Sequence, residues 1–361
     1  MKSLALAAAA FAAPMFVASI FFGSIAPSAF GQSAQFAGYQ PTEQVSGEIR
    51  LCGSPSMLAL MKLWEEGFHK YEPNIVFNND LRSTALAQFG LFENSADLAV
   101  SARHLYPYEF YGVYRRSLLY PVEITVATGA TEAVGKSTAL AIVVNKANPL
   151  TKISMKQLDG VFGAQRTGGW HDLVWDESVA RGAQGDIRTW SKLGLSGEWA
   201  ARPIHSYGPP GIYPGGQTFF QQAVLGGSDR FSETLREFQD RRAMLQAVAS
   251  DPEGIAYVAL GNATPELRAE LKVIPVSATN SAPAVPLTRA TVADHSYPLA
   301  RYAYLYYAPD GPDGTRKPID SKLKEFLSYV LSREGQQQVS KEGDYLPLTT
   351  ETAAQQKTKL K

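Results

Sequence analysis

The strongest constraint on the fold is an alternation that starts near Gly47. "EIRLC" reads as a strand and "GSPS" as a turn. Met57, Leu60, Met61, Trp64 and Phe68 then share one face of a helix that ends before Pro73. "NIVFNN" is the next strand, "TALAQFGLF" a helix and "ADLAVSA" a third strand. Strands that alternate with helices build βαβ units around a parallel sheet, so the expected class is α/β.

The pattern continues with "ALAIVVNKANP" as a short apolar strand and "ISMKQLDGVFG" as the helix of a second unit. Residues 164–188, rich in Gly and charge, read as a surface excursion. "HSYGPPGIYPGGQTFFQQAVL" is a turn opening onto a helix, with Phe219, Phe220, Ala223 and Val224 at helical spacing. "SETLREFQDRRAMLQAVAS" reads as a polar helix and "GIAYVAL" as a strand. In "SYPLARYAYLYY", Leu299, Arg301, Ala303 and Leu305 face one way and Tyr302, Tyr304 and Tyr306 the other. One helix over "IDSKLKEFLSYVLSREGQQQVSKEG" and a polar tail with several Lys finish the chain.

A chain of 361 residues, 45% hydrophobic and 19% charged, is large enough for two lobes. Its 34 basic residues balance 34 acidic ones. Nucleic acid as main partner would call for a basic surplus, so any anion site must be local. The start, "MKSLALAAAAFAAPMFVASIFFGSIAPSAFGQSAQ", places Lys2 before an apolar run and small residues. Ala29 and Gly31 fit cleavage of a signal peptide (residues 1–31) just before Gln32, which implies export to the periplasm. An uncleaved membrane anchor is the alternative. With Cys52 as the one cysteine, no internal disulfide is possible, and burial as a small apolar side chain is its expected role.

Catalytic signals are weak. His69, His104, His171, His205 and His295 have no metal-ligand spacing, and neither a G-x-S-x-G elbow nor a G-x-x-x-x-G-K-[ST] loop occurs. The expectation is a binding protein without catalytic residues, metal or cofactor. Loops at strand ends lead further. Three successive strands run into polar turns at 53–56, 81–84 and 101–103, and ligands of open α/β sheets sit outside the carboxyl ends of strands. Ser56 after Pro55, and Ser83 with Thr84, each read alone as a helix cap, whose hydroxyl and N–H could instead meet a ligand. The Gly-rich turn before Phe219 has the shape of an anion cradle at a helix N-terminus.

The motifs "IRLCGSPS", "ADLAVSARHLYPYE", "AIVVNKANPL", "ISMKQLDGVFG", "TWSKLGLSGEWAARPIHSYG", "EGIAYVALG", "YPLARYAYLYY" and "SREGQQQVSKEGDYLPL" recur in order over nearly all of residues 48–348. In these the chain resembles the periplasmic phosphate-binding proteins of ABC transporters, of the type II periplasmic-binding fold. The resemblance implies two α/β lobes of mixed sheets flanked by helices, joined by two crossing segments. A ligand would be clamped between the lobes by hinge closure and delivered to a membrane permease by a monomeric carrier. The lobes are expected at 47–139 with 286–361, and at 140–285.

The family's oxyanion contacts come from four loops. By position they fall on Ser54 and Ser56, on Ser83 and Thr84, on Ser101 and Arg103, and on Gly215 and Gly216, with Tyr207 nearby. Two loops depart from the family pattern. Ala102 stands where a hydroxyl or carboxylate is usual; Pro209 and Pro210 stand near the usual Arg; and Pro214, Gly215 and Gly216 fall on Ser-Gly-Thr. The implied ligand is phosphate or another small oxyanion. An envelope sensor or interaction protein that has lost phosphate binding is the alternative.

Overall fold

The computed structural model describes residues 36–171, 174–209, 216–309 and 315–360; the expected signal peptide lies outside them. In chain order the first half holds β1 (Gly47–Gly53), α1 (Leu58–Phe68), β2 (Ile75–Asp80), α2 (Leu86–Phe92), β3 (Leu98–Ser101), α3 (Pro107–Ser117) and β4 (Val122–Thr128). Then come β5 (Ala141–Asn145), β6 (Ile153–Ser154), α4 (Met155–Phe162), β7 (Gly169–His171), β8 (Val174–Asp176), β9 (His205–Gly208), α5 (Gly216–Val224), β10 (Arg236–Glu237), α6 (Arg241–Ser250), β11 (Gly254–Val258), α7 (Pro265–Ala269), β12 (Leu271–Ile274), β13 (Val276–Ser277) and α8 (Arg289–Ala293). The chain closes with β14 (Tyr302–Tyr307), α9 (Ser321–Val330), α10 (Arg333–Glu342) and α11 (Thr350–Lys357).

Two five-stranded sheets result, one ordered β2-β1-β3-β14-β4 and the other β10-β9-β11-β5-β12. The βαβ units place β2 and β3 parallel to β1, whereas β14 runs antiparallel to both β3 and β4. In the second sheet β11 runs parallel to β9 and antiparallel to β5, so both sheets are mixed, and each is covered on both faces. Trp64, Phe68, Phe326 and Leu327 of α1 and α9 pack on one face of the first sheet; Leu91, Phe110 and Val113 of α2 and α3 pack on the other. Around the second sheet, Phe162 and Phe220 occupy one face and Met244, Leu245 and Val248 of α6 the other.

The chain passes between the sheets twice, and the crossings lie side by side. Gly129 N–H donates to the Arg301 carbonyl at 2.7 Å, and Leu140 N–H to the Leu299 carbonyl at 3.1 Å. A Cβ at Gly129 would stand 2.1 Å from the Ser137 carbonyl oxygen, so only glycine fits there. Val292, Tyr297, Leu299 and Ala300 pack in the core of the second sheet, so the chain rejoins the first sheet only at β14.

Three expectations for single elements fail. The polar helix over 232–250 begins only at Arg241, where the Asp240 side chain accepts from Ala243 N–H; upstream, Arg236 and Glu237 add an edge strand beside Tyr207 and Gly208. The single helix near the C-terminus is split in two by Ser332, whose hydroxyl accepts from Gly335 N–H and starts a new helix. The polar tail is the helix α11, anchored to β4 where Gln356 accepts from Thr125 N–H at 3.1 Å. Among the described residues no helix is long and apolar enough to cross a membrane.

Candidate functional site

A cleft of about 540 Å³ opens between the two sheets, at the strand ends and beside the crossings. Gly53 ends β1 at φ +144°, and Ser54 N–H then donates to the Val100 carbonyl at 2.8 Å. This turn brings the hydroxyls of Ser54 and Ser56 to 2.8 Å of each other, with the Tyr345 hydroxyl 3.3 Å from that of Ser56. The second loop is tied to the first, because Ser83 N–H donates to the Gly53 carbonyl at 2.9 Å. Ser54, Ser56, Ser83 and Thr84 therefore line one wall of the cleft together.

Other expected residues lie elsewhere. Ser101 is buried and donates its hydroxyl to the Arg103 carbonyl at 2.6 Å. Arg103 is also buried, held by Glu109 through two bonds of 2.7 and 2.8 Å and covered by the Tyr106 ring at 4.2 Å. Burial opposes its charge, but the Glu109 carboxylate outweighs burial and raises its pKa. Tyr207 packs in the core of the second sheet and donates to Asp251 at 2.7 Å. None of these three lines the cleft. Gly216 does, at the first turn of α5, whereas Gly215, Pro210, Tyr213 and Pro214 lie outside the described residues. Cys52 is buried, its thiol 3.1 Å from the Leu86 carbonyl.

Arg82 of the second loop, a candidate for the charge of the site, lines the cleft too, and with it stand residues that the loop motifs did not indicate. Arg82, Lys136, Arg241 and Arg301 are its charged lining, and among the described residues no carboxylate joins them. Arg82 is engaged by Asp80, and Lys136 by Glu342. Arg301 differs. Its guanidinium donates to the Ala102 carbonyl at 2.9 Å and to the Thr138 carbonyl at 3.5 Å, and no carboxylate is within ion-pair reach among the described residues. Burial, reinforced by Arg103 and Arg241, pushes its pKa down to about 10, so it stays charged at neutral pH. A cation desolvated without a counter-ion is unfavourable unless an anion completes it. The sequence carried a signal for it: the alternation through 299–305 sets Arg301 on the same face as Leu299, Ala303 and Leu305, an apolar set in which an arginine is out of place.

A model of the PBP superfamily domain matches residues 39–334, and the chain belongs to that superfamily. Among its relatives, the phosphate-binding protein PstS of Pseudomonas aeruginosa is 29% identical over 317 residues, covering 87% of each chain. Protein SphX of Synechococcus elongatus is 22% identical over 322 residues, covering 88% of this chain and 84% of the relative. Two solved structures share the fold. An ABC-type phosphate transport receptor from Vibrio cholerae superimposes with a TM-score of 0.52 at 20% identity, over 83% of this chain and 99% of the receptor. PstS from Borrelia burgdorferi gives 0.53 at 16% identity, over 85% and 99%. The two-lobed architecture expected from the sequence is thus that of the superfamily.

Proposed function

We propose that this protein is an exported solute-binding protein that captures phosphate or a related small oxyanion between its lobes and delivers it to an ABC permease. The observation that carries this reading is Arg301, a buried cation on the cleft wall that donates to two carbonyls and has no carboxylate within ion-pair reach among the described residues. An anion there would accept from Arg301 and from Ser54, Ser56, Ser83 and Thr84, beside the first turn of α5 at Gly216. Relatives named as phosphate-binding proteins support the same ligand class. A signal peptide at 1–31 would place the mature chain in the periplasm as a monomer. Core packing supports a second lobe that extends to about residue 300, past the limit at 285 expected from sequence. Relatives named as binding proteins favour capture over catalysis.

The test is thermal melting of protein stripped of ligand by unfolding and refolding, with and without phosphate. Ligand that binds only the folded state raises stability by about 2.7 kcal/mol at a hundredfold excess over its dissociation constant. No upward shift at millimolar phosphate, sulfate or organic phosphate would sink the oxyanion reading.

A further inference from the structure

The lining of the cleft is rich in donors and lacks a strong acceptor. Ser54, Ser56, Ser83, Thr84 and Arg301 face the space, and no Asp or Glu does so among the described residues. The segment that follows Pro209, Pro-Gly-Ile-Tyr-Pro-Gly, contains no carboxylate either. Asp80 and Glu342, bonded to cleft residues, are engaged by Arg82 and Lys136. Inorganic monohydrogen phosphate keeps one P–O–H, whose hydrogen calls for an acceptor, and a carboxylate is the strongest one a protein offers. A dianionic monoester or phosphonate carries an organic substituent at that position and presents only acceptor oxygens.

Space and polarity point the same way. The cleft of about 540 Å³ is of the size that holds drug-sized ligands, whereas a bare tetrahedral anion fills the room of only a few waters, each about 30 Å³. The hydroxyls come from the loops of the first sheet. Ala259 after β11 and the exposed Val134 on the crossing give an apolar flank, backed by the buried Leu140, Met244 and Val258.

We propose that the cleft prefers an organic phosphoryl dianion, its head on Arg301 and the four hydroxyls and its arm along Ala259 and Val134. This rests on the oxyanion reading above. Calorimetric titration of the stripped protein at about pH 9, above the second ionisation of a monoester near 6 and the higher one of an alkylphosphonate, compares inorganic phosphate, sulfate, propyl phosphate and propylphosphonate. The expected result is that a propyl ligand binds roughly tenfold tighter than phosphate, the equivalent of two buried methylenes. If only one propyl ligand gains, that supports the proposal and names the source, ester or phosphonate. Phosphate binding as tightly as both propyl ligands overturns the proposal and leaves the oxyanion reading standing. Sulfate equal to the propyl ligands also overturns it, since the arm then contributes nothing. Absence of binding by all four overturns both readings.

Discussion

Two arginines separate structural charge from charge held for a ligand. Arg301 is buried with no carboxylate in ion-pair reach among the described residues, so the ligand-free fold carries its desolvation cost. Arg301→Met should therefore leave the melting temperature of the ligand-free protein unchanged or raise it, and shrink the upward shift with oxyanion. Loss of a charge-assisted contact contributes about 1.5–3 kcal/mol, roughly ten- to hundredfold in affinity. A large loss of ligand-free stability with binding intact would make Arg301 a structural group. Arg103 should behave oppositely. Removing it strands Glu109, which is 1% exposed, and a broken buried pair costs about 3–5 kcal/mol. Arg103→Met should lower the denaturation midpoint strongly, while the surviving folded protein still responds to oxyanion. Ion pairing tells the two apart, and sequence position alone did not: Arg103 sits in a loop motif at a strand end, but Glu109 takes its charge.

At the scale of elements, the first loop depends on the tight turn after β1. A Cβ at Gly53 would stand 2.0 Å from the Val100 carbonyl oxygen, the acceptor that Ser54 N–H uses, and φ is +144°. Gly53→Ala should cost about 3 kcal/mol in chemical denaturation, through overpacking and backbone strain. It should also pull Ser54 and Ser56 out of register with Ser83, and so weaken binding. Full stability in that variant would show that the loop adapts. The strands and the hydroxyl loops were legible because periodicity of apolar residues and polar turns are local signals. What was not legible depends on partners distant in sequence. The stretch before Arg241 looked helical, yet edge pairing with Tyr207 and Gly208 wins over its propensity. Ser332 breaks an otherwise continuous helical pattern by capping α10. Arg301 reaches the cleft because β14 lies beside β3 and its carbonyl pairs with Gly129, contacts that no window of sequence contains.

For the whole molecule, the crossings leave the two sheets free to move relative to each other unless other contacts bridge them. One such contact joins the Tyr106 hydroxyl, beside α3, to the hydroxyl of Thr218 in α5. It lies between the first-sheet segment that covers Arg103 and the helix whose first turn lines the cleft. Closure of two lobes on a ligand is a shift between open and closed populations, and a bond made across the lobes favours the closed one. Tyr106→Phe keeps the ring over Arg103 and removes only the bond, so the fold should melt at nearly the same temperature. A hydrogen bond contributes about 0.5–1.5 kcal/mol net, so affinity for the ligand should fall roughly two- to tenfold. Small-angle scattering should show a larger radius of gyration for the ligand-free variant and the same radius as the parent once ligand is bound. If affinity and radius both stay at the parent values, Tyr106 and Thr218 touch without coupling the lobes, and the crossings alone set the opening.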